Sequence, residues 1–311
     1  MKTKNLNLNG YKIFPLGLGT YGYGEENIDM TSQEQKEIII ESFRSGINYA
    51  SIYLTYANGK AAEILQNALN NYKDEVYLTF CAYPSNFNNI NDLERAFHFY
   101  QDGLSANKIK TFMLSSQMEG RFGRKSSTKL LEKVLSQGIE SIGLTNCNLE
   151  QLEHYANAFG DKVVLHEICH NFEIRIFEEL GILQRTRALN ILPVIYQPLR
   201  RNRTTLRHWP VLELIAKRYG VTVNQVILSW LVKEGMLPLI KAANPVHLKE
   251  NVESMNIDLS NEDIAKINSY KFKWTKPSLN WLDFNATDSL YIAKLPNVFD
   301  EEYDKQTLKE G

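Results

Sequence analysis

Along the chain, short apolar runs alternate with stretches in which apolar residues recur at the helical period. The apolar run over 47–50 is followed, after a polar turn, by Ala61, Ile64, Leu65, Ala68 and Leu69, which share one face of a helix. The rhythm then repeats. Apolar 76–80 precedes a helical pattern over 91–100, and 109–114 precedes one over 128–135. The run Ile142-Gly143-Leu144 leads to a helix start at Asn148 with Gln151 three residues on. The run 163–165 leads to a longer segment ending near Ala188. After 192–195 come a helix around 211–218 and another capped by Thr222 with Gln225, and 237–240 is the last apolar run. At the other end, Gly17-Leu18-Gly19-Thr20-Tyr21 reads as a strand tip. A helix beginning at Ser32, with Gln35 completing a capping box, runs to a stop at Gly46.

Eight strand-helix units with short connections and no Pro/Gly/Ser-rich linker predict a parallel (β/α)8 TIM barrel, a single domain over 1–311. A doubly wound sheet would need a G-x-G-x-x-G turn between a strand and a helix, and none occurs. The last residues, 272–311, carry Trp274, Trp281, Phe284, Tyr291 and Phe299 without a period and read as a C-terminal extension folded over the barrel.

Composition narrows the function. The 311 residues are 43% hydrophobic and 23% charged, enough for a large core, although length alone also allows two smaller domains. A net charge of −1 with interspersed signs gives no field for nucleic acid or an anionic membrane, so the expected partner is a small molecule. The polar start M-K-T-K-N-L-N-L-N-G has no signal-like apolar segment, and no apolar run reaches the ~18 residues of a membrane span, which predicts a cytoplasmic protein. Cys81, Cys147 and Cys169, an odd number, read as free thiols.

The stretch 46–69, opening G-I-N-Y-A-S-I-Y-L-T-Y-A-N-G, resembles the second strand and helix of the aldo-keto reductases, G-I-N-x-x-D-T-A-x-x-Y-G. Gly46, Ile47, Asn48, Tyr56, Ala68 and Leu69 match. In that family a tyrosine gives a proton to the substrate carbonyl, a lysine lowers the phenol's pKa, an aspartate holds the lysine and a histidine orients the carbonyl. The resemblance assigns Tyr56 to the catalytic tyrosine but puts Ser51 at the aspartate. V-Y-L-T-F-C against V-F-I-A-T-K puts Cys81 at the lysine, and I-K-T-F-M-L-S puts Ser115 at the histidine. No acid lies between Gly46 and Ala62, no lysine between Asp74 and Asn107, and no histidine between Phe99 and Glu153, so a small shift restores none of them. The implied active site is degenerate. A phenol with no cation beside it keeps a pKa near ~10 and serves as a hydrogen-bond donor rather than a base at neutral pH. Ser51, Cys81 and Ser115 read as space-filling, since Cys81 has no neighbouring base in sequence to form a thiolate.

On the nucleotide side the resemblance is fuller. Gly19 and Thr20 match the G-L-G-T strand tip. Thr145-Asn146 stands where a Ser-Asn pair binds the nicotinamide carboxamide, Glu167 where a glutamine does, and Tyr196-Gln197-Pro198-Leu199 resembles Y-S-P-L, whose tyrosine stacks on the nicotinamide. The segment from Leu239 to Asn251 resembles L-P-K-S-x-x-P-x-R-I-x-E-N, which grips the adenosine and its 2′-phosphate. Lys241, Glu250 and Asn251 are retained, while Ala242 and His247 replace the serine and arginine. NADP(H) is the implied cofactor, with NAD(H) the alternative. Two arginine-rich stretches, Arg200-Arg201-x-Arg203-x-x-x-Arg207 and Arg121-x-x-Arg124-Lys125, could clamp phosphate or carboxylate or form solvated loops. His166 and His170 share one strand face and Cys169 the other, so no metal site is expected. The resulting expectation is an NADP(H)-binding oxidoreductase acting on a small carbonyl or sugar-like metabolite. Its competitors are a catalytically inactive nucleotide-binding sensor or complex subunit, which could take a protein partner, and a redox-neutral enzyme using the same pocket.

Overall fold

The computed structural model describes residues 5–25, 30–83, 89–104, 108–202, 204–206, 208–241 and 243–270. The extension expected over 272–311 therefore lies outside the described residues, as do Arg203, Arg207 and Ala242.

The chain opens with a hairpin of β1 (Leu6–Leu8) and β2 (Tyr11–Ile13), in which Leu8 pairs with Tyr11 across Asn9 and Gly10. Both turn residues have positive φ, 51° and 85°, the backbone that an Asn-Gly pair supplies to a two-residue hairpin. The polar reading of this start missed the hairpin, although its Asn-Gly signal is in the sequence. Eight further strands close into a parallel barrel in chain order: β3 (Gly17–Leu18), β4 (Tyr49–Tyr53), β5 (Tyr77–Ala82), β6 (Ile109–Ser115), β7 (Ser141–Thr145), β8 (Val163–Cys169), β9 (Leu192–Tyr196) and β10 (Leu237–Ile240), with β10 pairing back to β3. Closure leaves no free edge, so each barrel strand has a hydrogen-bonded neighbour on both sides.

Helices occupy the outside: α1 (Ser32–Arg44), α2 (Lys60–Leu69), α3 (Ile90–Asp102), α4 (Ser116–Phe122), α5 (Arg124–Ser136), α6 (Leu149–Phe159), α7 (Ile176–Glu179), α8 (Ile182–Ala188), α9 (Pro210–Tyr219), α10 (Val223–Lys233), α11 (Pro245–Glu253) and α12 (Asn261–Ser269). The apolar face of α2 is the expected one, with Ala61, Ile64, Leu65, Ala68 and Leu69 all buried. The capping boxes at Asn148/Gln151 and Thr222/Gln225 form. That of α1 lies one residue earlier than expected, at Thr31 with Glu34. Gln35 is instead drawn inward: its amide donates to the Met30 carbonyl, and its oxygen accepts from the Gly24 N–H.

Two layers of apolar packing result. One lies between the strands' outer faces and the helices. The other fills the barrel itself, with Tyr49, Tyr53, Tyr77, Cys81, Met113, Leu165, Val194, Leu237 and Leu239, and takes in Leu8 and Ile13 of the hairpin. The barrel is a packed core, so a ligand has room only at its ends and loops. Among the described residues no helix is long and apolar enough to cross a membrane, and all three cysteines are buried and free.

Candidate functional site

The expected residues converge on one end of the barrel because they sit at the C-terminal tips of successive parallel strands or just beyond them, the end at which (β/α)8 enzymes build their sites. Thr20 follows β3, Ser51 lies in β4, Cys81 in β5, Ser115 ends β6, Thr145 ends β7, Glu167 lies near the end of β8, Tyr196 ends β9 and Lys241 follows β10.

On the β4–β5 side Ser51 and Cys81 are neutral, and Ser51 is bonded to its neighbours. Ser51 is buried and accepts a hydrogen bond from the Thr79 hydroxyl at 2.7 Å, while the Thr20 hydroxyl donates to the Ser51 carbonyl at 3.2 Å. Cys81 pairs with Tyr53 in the sheet register and is fully buried. Burial, followed by the nearby Glu167 carboxyl, pushes its thiol well above the ordinary range, so it is no nucleophile at neutral pH.

Tyr56 opens a turn in which Ala57, Asn58 and Gly59 all have positive φ, 48°, 52° and 89°. An alanine in that region costs roughly 1–2 kcal/mol. The turn sets the Tyr56 ring in a row of tyrosines: stacked on Tyr53 with centroids 4.9 Å apart, and edge-on to Tyr21 at 5.2 Å. Tyr53 also stacks on Tyr83 at 6.0 Å.

Tyr53 was not among the expected residues, yet its side chain reaches across the barrel. Its hydroxyl donates a short hydrogen bond to Glu167 Oε1. β4 and β8 lie four places apart in the ring of eight, so this contact spans the barrel. The available signal was parity: Tyr53 is two residues beyond Ser51 and so points to the same face. Burial raises the Glu167 carboxyl to about 7, and the Tyr53 hydrogen bond pulls it down only in part. The phenol of Tyr53 is itself driven well up by burial.

On the β6–β8 side, Ser115 pairs with Thr145 and Thr145 with Glu167 in the sheet register. All three are buried, and Ser115 Oγ, Thr145 Oγ1 and Glu167 Oε2 make no hydrogen bond among the described residues. Three neighbouring strand tips thus present a row of unsatisfied polar atoms. Beside the row, the Tyr196 hydroxyl donates to Asn146 Oδ1 at 3.0 Å, and the Asn146 N–H donates to the Glu167 carbonyl. Asn146 and Gln197, just past the tips of β7 and β9, both take positive φ. Pro198 is buried and Leu199 half-buried behind them.

The remaining candidates divide. Gly19 is held by its N–H to the Ile240 carbonyl at 2.7 Å, and the Lys241 ammonium lies 5.4 Å from the centre of the Tyr23 ring. On α11, His247 Nδ1 and Glu250 Oε2 are 3.1 Å apart at the surface, and Asn251 is buried.

Of the arginine clusters, Arg200 does not project toward a ligand. It is fully buried in an ion pair with Glu173 at 2.7 Å, because a guanidinium taken out of water needs a carboxylate there. Arg124 is engaged by Glu119 and Glu150. His166 accepts from the Cys147 N–H and contacts the Thr186 hydroxyl, and neither ring nitrogen of His170 makes a hydrogen bond among the described residues. Among the described residues, no three His, Cys, Asp or Glu side chains gather as metal ligands do.

The family model described as "Aldo/keto reductase family" matches residues 15–271. Among curated proteins, methylglyoxal reductase YeaE of Escherichia coli is 24% identical over 281 residues, covering 86% of this chain and 94% of its own. Morphine 6-dehydrogenase of Pseudomonas putida is also 24% identical over 281 residues, covering 85% and 89%. Among solved structures, a thermostable aldo-keto reductase in complex with the inhibitor epalrestat superposes with a TM-score of 0.74 at 23% identity, covering 85% of this chain and 98% of its own. A Klebsiella pneumoniae aldo-keto reductase in complex with NADPH gives 0.71 at 21% identity, covering 86% and 95%. These superpositions show the shared barrel.

Proposed function

The chain belongs to the aldo/keto reductase family, and on that premise we propose that it binds NADP(H) and acts as an oxidoreductase on a small carbonyl or sugar-like metabolite without the family's usual proton relay. The observation that carries this reading is the pair of unsatisfied atoms on β7 and β8. A buried polar atom without a partner costs about 1–3 kcal/mol, and such atoms persist where a ligand supplies the partner. A carboxamide fits both. The Thr145 hydroxyl can donate to its oxygen, and Glu167 Oε2 can accept from its NH₂. Tyr196 at the neighbouring tip offers a ring face, and Lys241, His247, Glu250 and Asn251 follow β10 where the family resemblance puts the adenosine end.

When bound, the reduced cofactor would supply the hydride. The chain's own contribution is orientation and exclusion of water: Tyr56, held between Tyr53 and Tyr21, offers its hydroxyl to the substrate oxygen. At the positions assigned to the aspartate and lysine stand Ser51, bonded by Thr79, and the neutral Cys81. Absence of a tuned proton donor costs on the order of 10²- to 10⁴-fold in rate, so slow carbonyl reduction is expected. The relatives' names, methylglyoxal and morphine, differ greatly in size. What they share with this proposal is chemistry at a carbonyl or hydroxyl carbon.

The closed β4–β5 floor favours a second reading, a catalytically inactive nucleotide-binding sensor or complex subunit. Titration of the purified protein with NADPH, followed by fluorescence, tests the binding common to both; no binding at millimolar cofactor refutes both. Transfer of deuteride from labelled NADPH to a panel of carbonyls then separates them. Turnover that falls in Tyr56→Phe supports the first reading, and its complete absence supports the second.

A further inference from the structure

We propose that Glu167 makes this pocket discriminate between the two redox forms of the nicotinamide cofactor, holding the oxidised, cationic ring more tightly than the reduced, neutral one. The inference deepens the cofactor reading above and rests on it.

A glutamine at this position would present the same acceptor to either form, because it carries no charge. A glutamate presents an acceptor that can also be an anion, and only the oxidised ring is a cation. Two features make that difference matter here. First, Glu167 is buried, so water does not screen it. Second, no cation is among the groups that perturb it. The titratable groups that feel it are Tyr49 and Tyr53 from β4 and Cys81 and Tyr83 at the end of β5; Cys147 beyond β7 and Tyr196 at the tip of β9 act in turn on Cys81 and Tyr83. Burial raises Tyr49, Tyr53, Cys81, Tyr83 and Cys147, which are therefore neutral at pH 7. On β8 itself, His166 is lowered by burial to about 3 and is neutral too. Among the described residues the negative charge of ionised Glu167 consequently has no counter-ion, and a cationic ring would provide one.

Oε1 is held by Tyr53 and Oε2 is unsatisfied, so the carboxyl is fixed in orientation with one oxygen left for a ligand. Because the carboxyl titrates near neutrality, the preference changes with pH. Protonated Glu167 treats the two forms alike, and ionised Glu167 favours the oxidised one. Opposite charges a few ångström apart at an effective dielectric of about 20 interact strongly enough for a discrimination on the order of tenfold or more. A pocket that favours the oxidised form also makes the bound reduced form a better hydride donor, which partly offsets a missing proton relay.

The test is binding, not turnover. Dissociation constants for NADP⁺ and NADPH are measured by calorimetry between pH 6 and 8.5 for the wild type, Glu167→Gln and Tyr53→Phe. Both ligands share the 2′-phosphate and the adenosine contacts, so the ratio of the two constants cancels the titration of those groups. In the wild type the ratio should move about tenfold toward NADP⁺ as pH rises, and in Glu167→Gln it should stay flat. Tyr53→Phe removes the hydrogen bond that favours the carboxylate, so the midpoint should move to higher pH. A flat wild-type ratio, an unchanged slope in Glu167→Gln, or a midpoint that does not rise in Tyr53→Phe overturns the inference while leaving the cofactor reading intact. Failure of both ligands to bind overturns the two together.

Discussion

Replacing Glu167 by glutamine should make the protein more stable at alkaline pH, without any ligand. The carboxyl is fully buried and its pKa is raised from the ordinary 4.5 to about 7. The folded chain therefore holds a proton that the unfolded chain has released, and stability falls as pH rises from about 4.5 to about 7. Above that window the ionised, desolvated carboxylate costs the fold about 3 kcal/mol. Glutamine has nearly the same shape and still accepts from the Tyr53 hydroxyl, but it has no charge to desolvate. Urea denaturation followed by circular dichroism, at pH 5, 6, 7 and 8, should show the difference between Glu167→Gln and wild type moving in the variant's favour by about 2–3 kcal/mol from pH 5 to pH 8. Other titrating groups, the buried histidines included, are common to both proteins and drop out of the difference. A difference that stays constant across this range would falsify the assignment of a raised, near-neutral titration to Glu167.

Three further substitutions probe the fold and the unused candidates. Arg200→Met breaks the buried ion pair with Glu173, and the unfolding free energy should drop by about 3–5 kcal/mol; the double variant with Glu173→Gln should recover part of this. His170 is buried against Trp230 with its pKa lowered by burial to about 3, so its contribution to stability is complete above about 6.5 and is lost as pH falls toward about 3. His170→Phe should therefore gain about 2 kcal/mol on wild type between pH 7.5 and pH 5, read from denaturation midpoints. Gly143→Ala puts a methyl 2.6 Å from Met113 Cγ and 2.7 Å from Leu165 Cδ1 inside the barrel, and overpacking there should cost about 1–3 kcal/mol in urea unfolding.

Strand and helix positions were legible because burial imposes the patterns that were read. The barrel strands are covered by helices outside and packed side chains inside, so they appear as continuous apolar runs, and the last, Leu237–Ile240, coincides with its expected bounds. Capping boxes are local and could be read locally, as at Asn148 and Thr222. That of α1 slipped by one residue because Thr31-x-x-Glu34 and Ser32-x-x-Gln35 carry the same pattern, and only the pull of the interior on Gln35 decides between them. Arg200 shows the opposite limit. Four arginines in a short stretch read as a phosphate or carboxylate clamp or as a solvated loop, and nothing local announces that a partner 27 residues earlier, Glu173, would draw one of them into the interior. Tyr53 was missed for a related reason. Comparison by motif directs attention to positions where the family has a function, while Tyr53 acquires its contact from across the barrel, 114 residues away.

The residues at the strand tips make physical sense as a set. A carboxylate at position 51 would be as deeply buried as Ser51 is, and without a cation it would carry a desolvation cost like that of Glu167; loss of a lysine therefore favours loss of its aspartate. Positions 51 and 81 are filled: Ser51 Oγ accepts from Thr79, and Cys81 lies fully buried in the cluster that holds Tyr53 and Tyr83. On the opposite side the reverse holds, since Ser115, Thr145 and Glu167 retain unsatisfied atoms on adjacent strands. Of the positions to which the family resemblance assigns the acid-base unit, Ser51 is satisfied and Ser115 is not, and Thr145 and Glu167, to which it assigns the nicotinamide, hold the other two unsatisfied atoms of the row. An occupant that accepts from the Thr145 hydroxyl and donates to Glu167 Oε2 would satisfy the two atoms that β7 and β8 leave open.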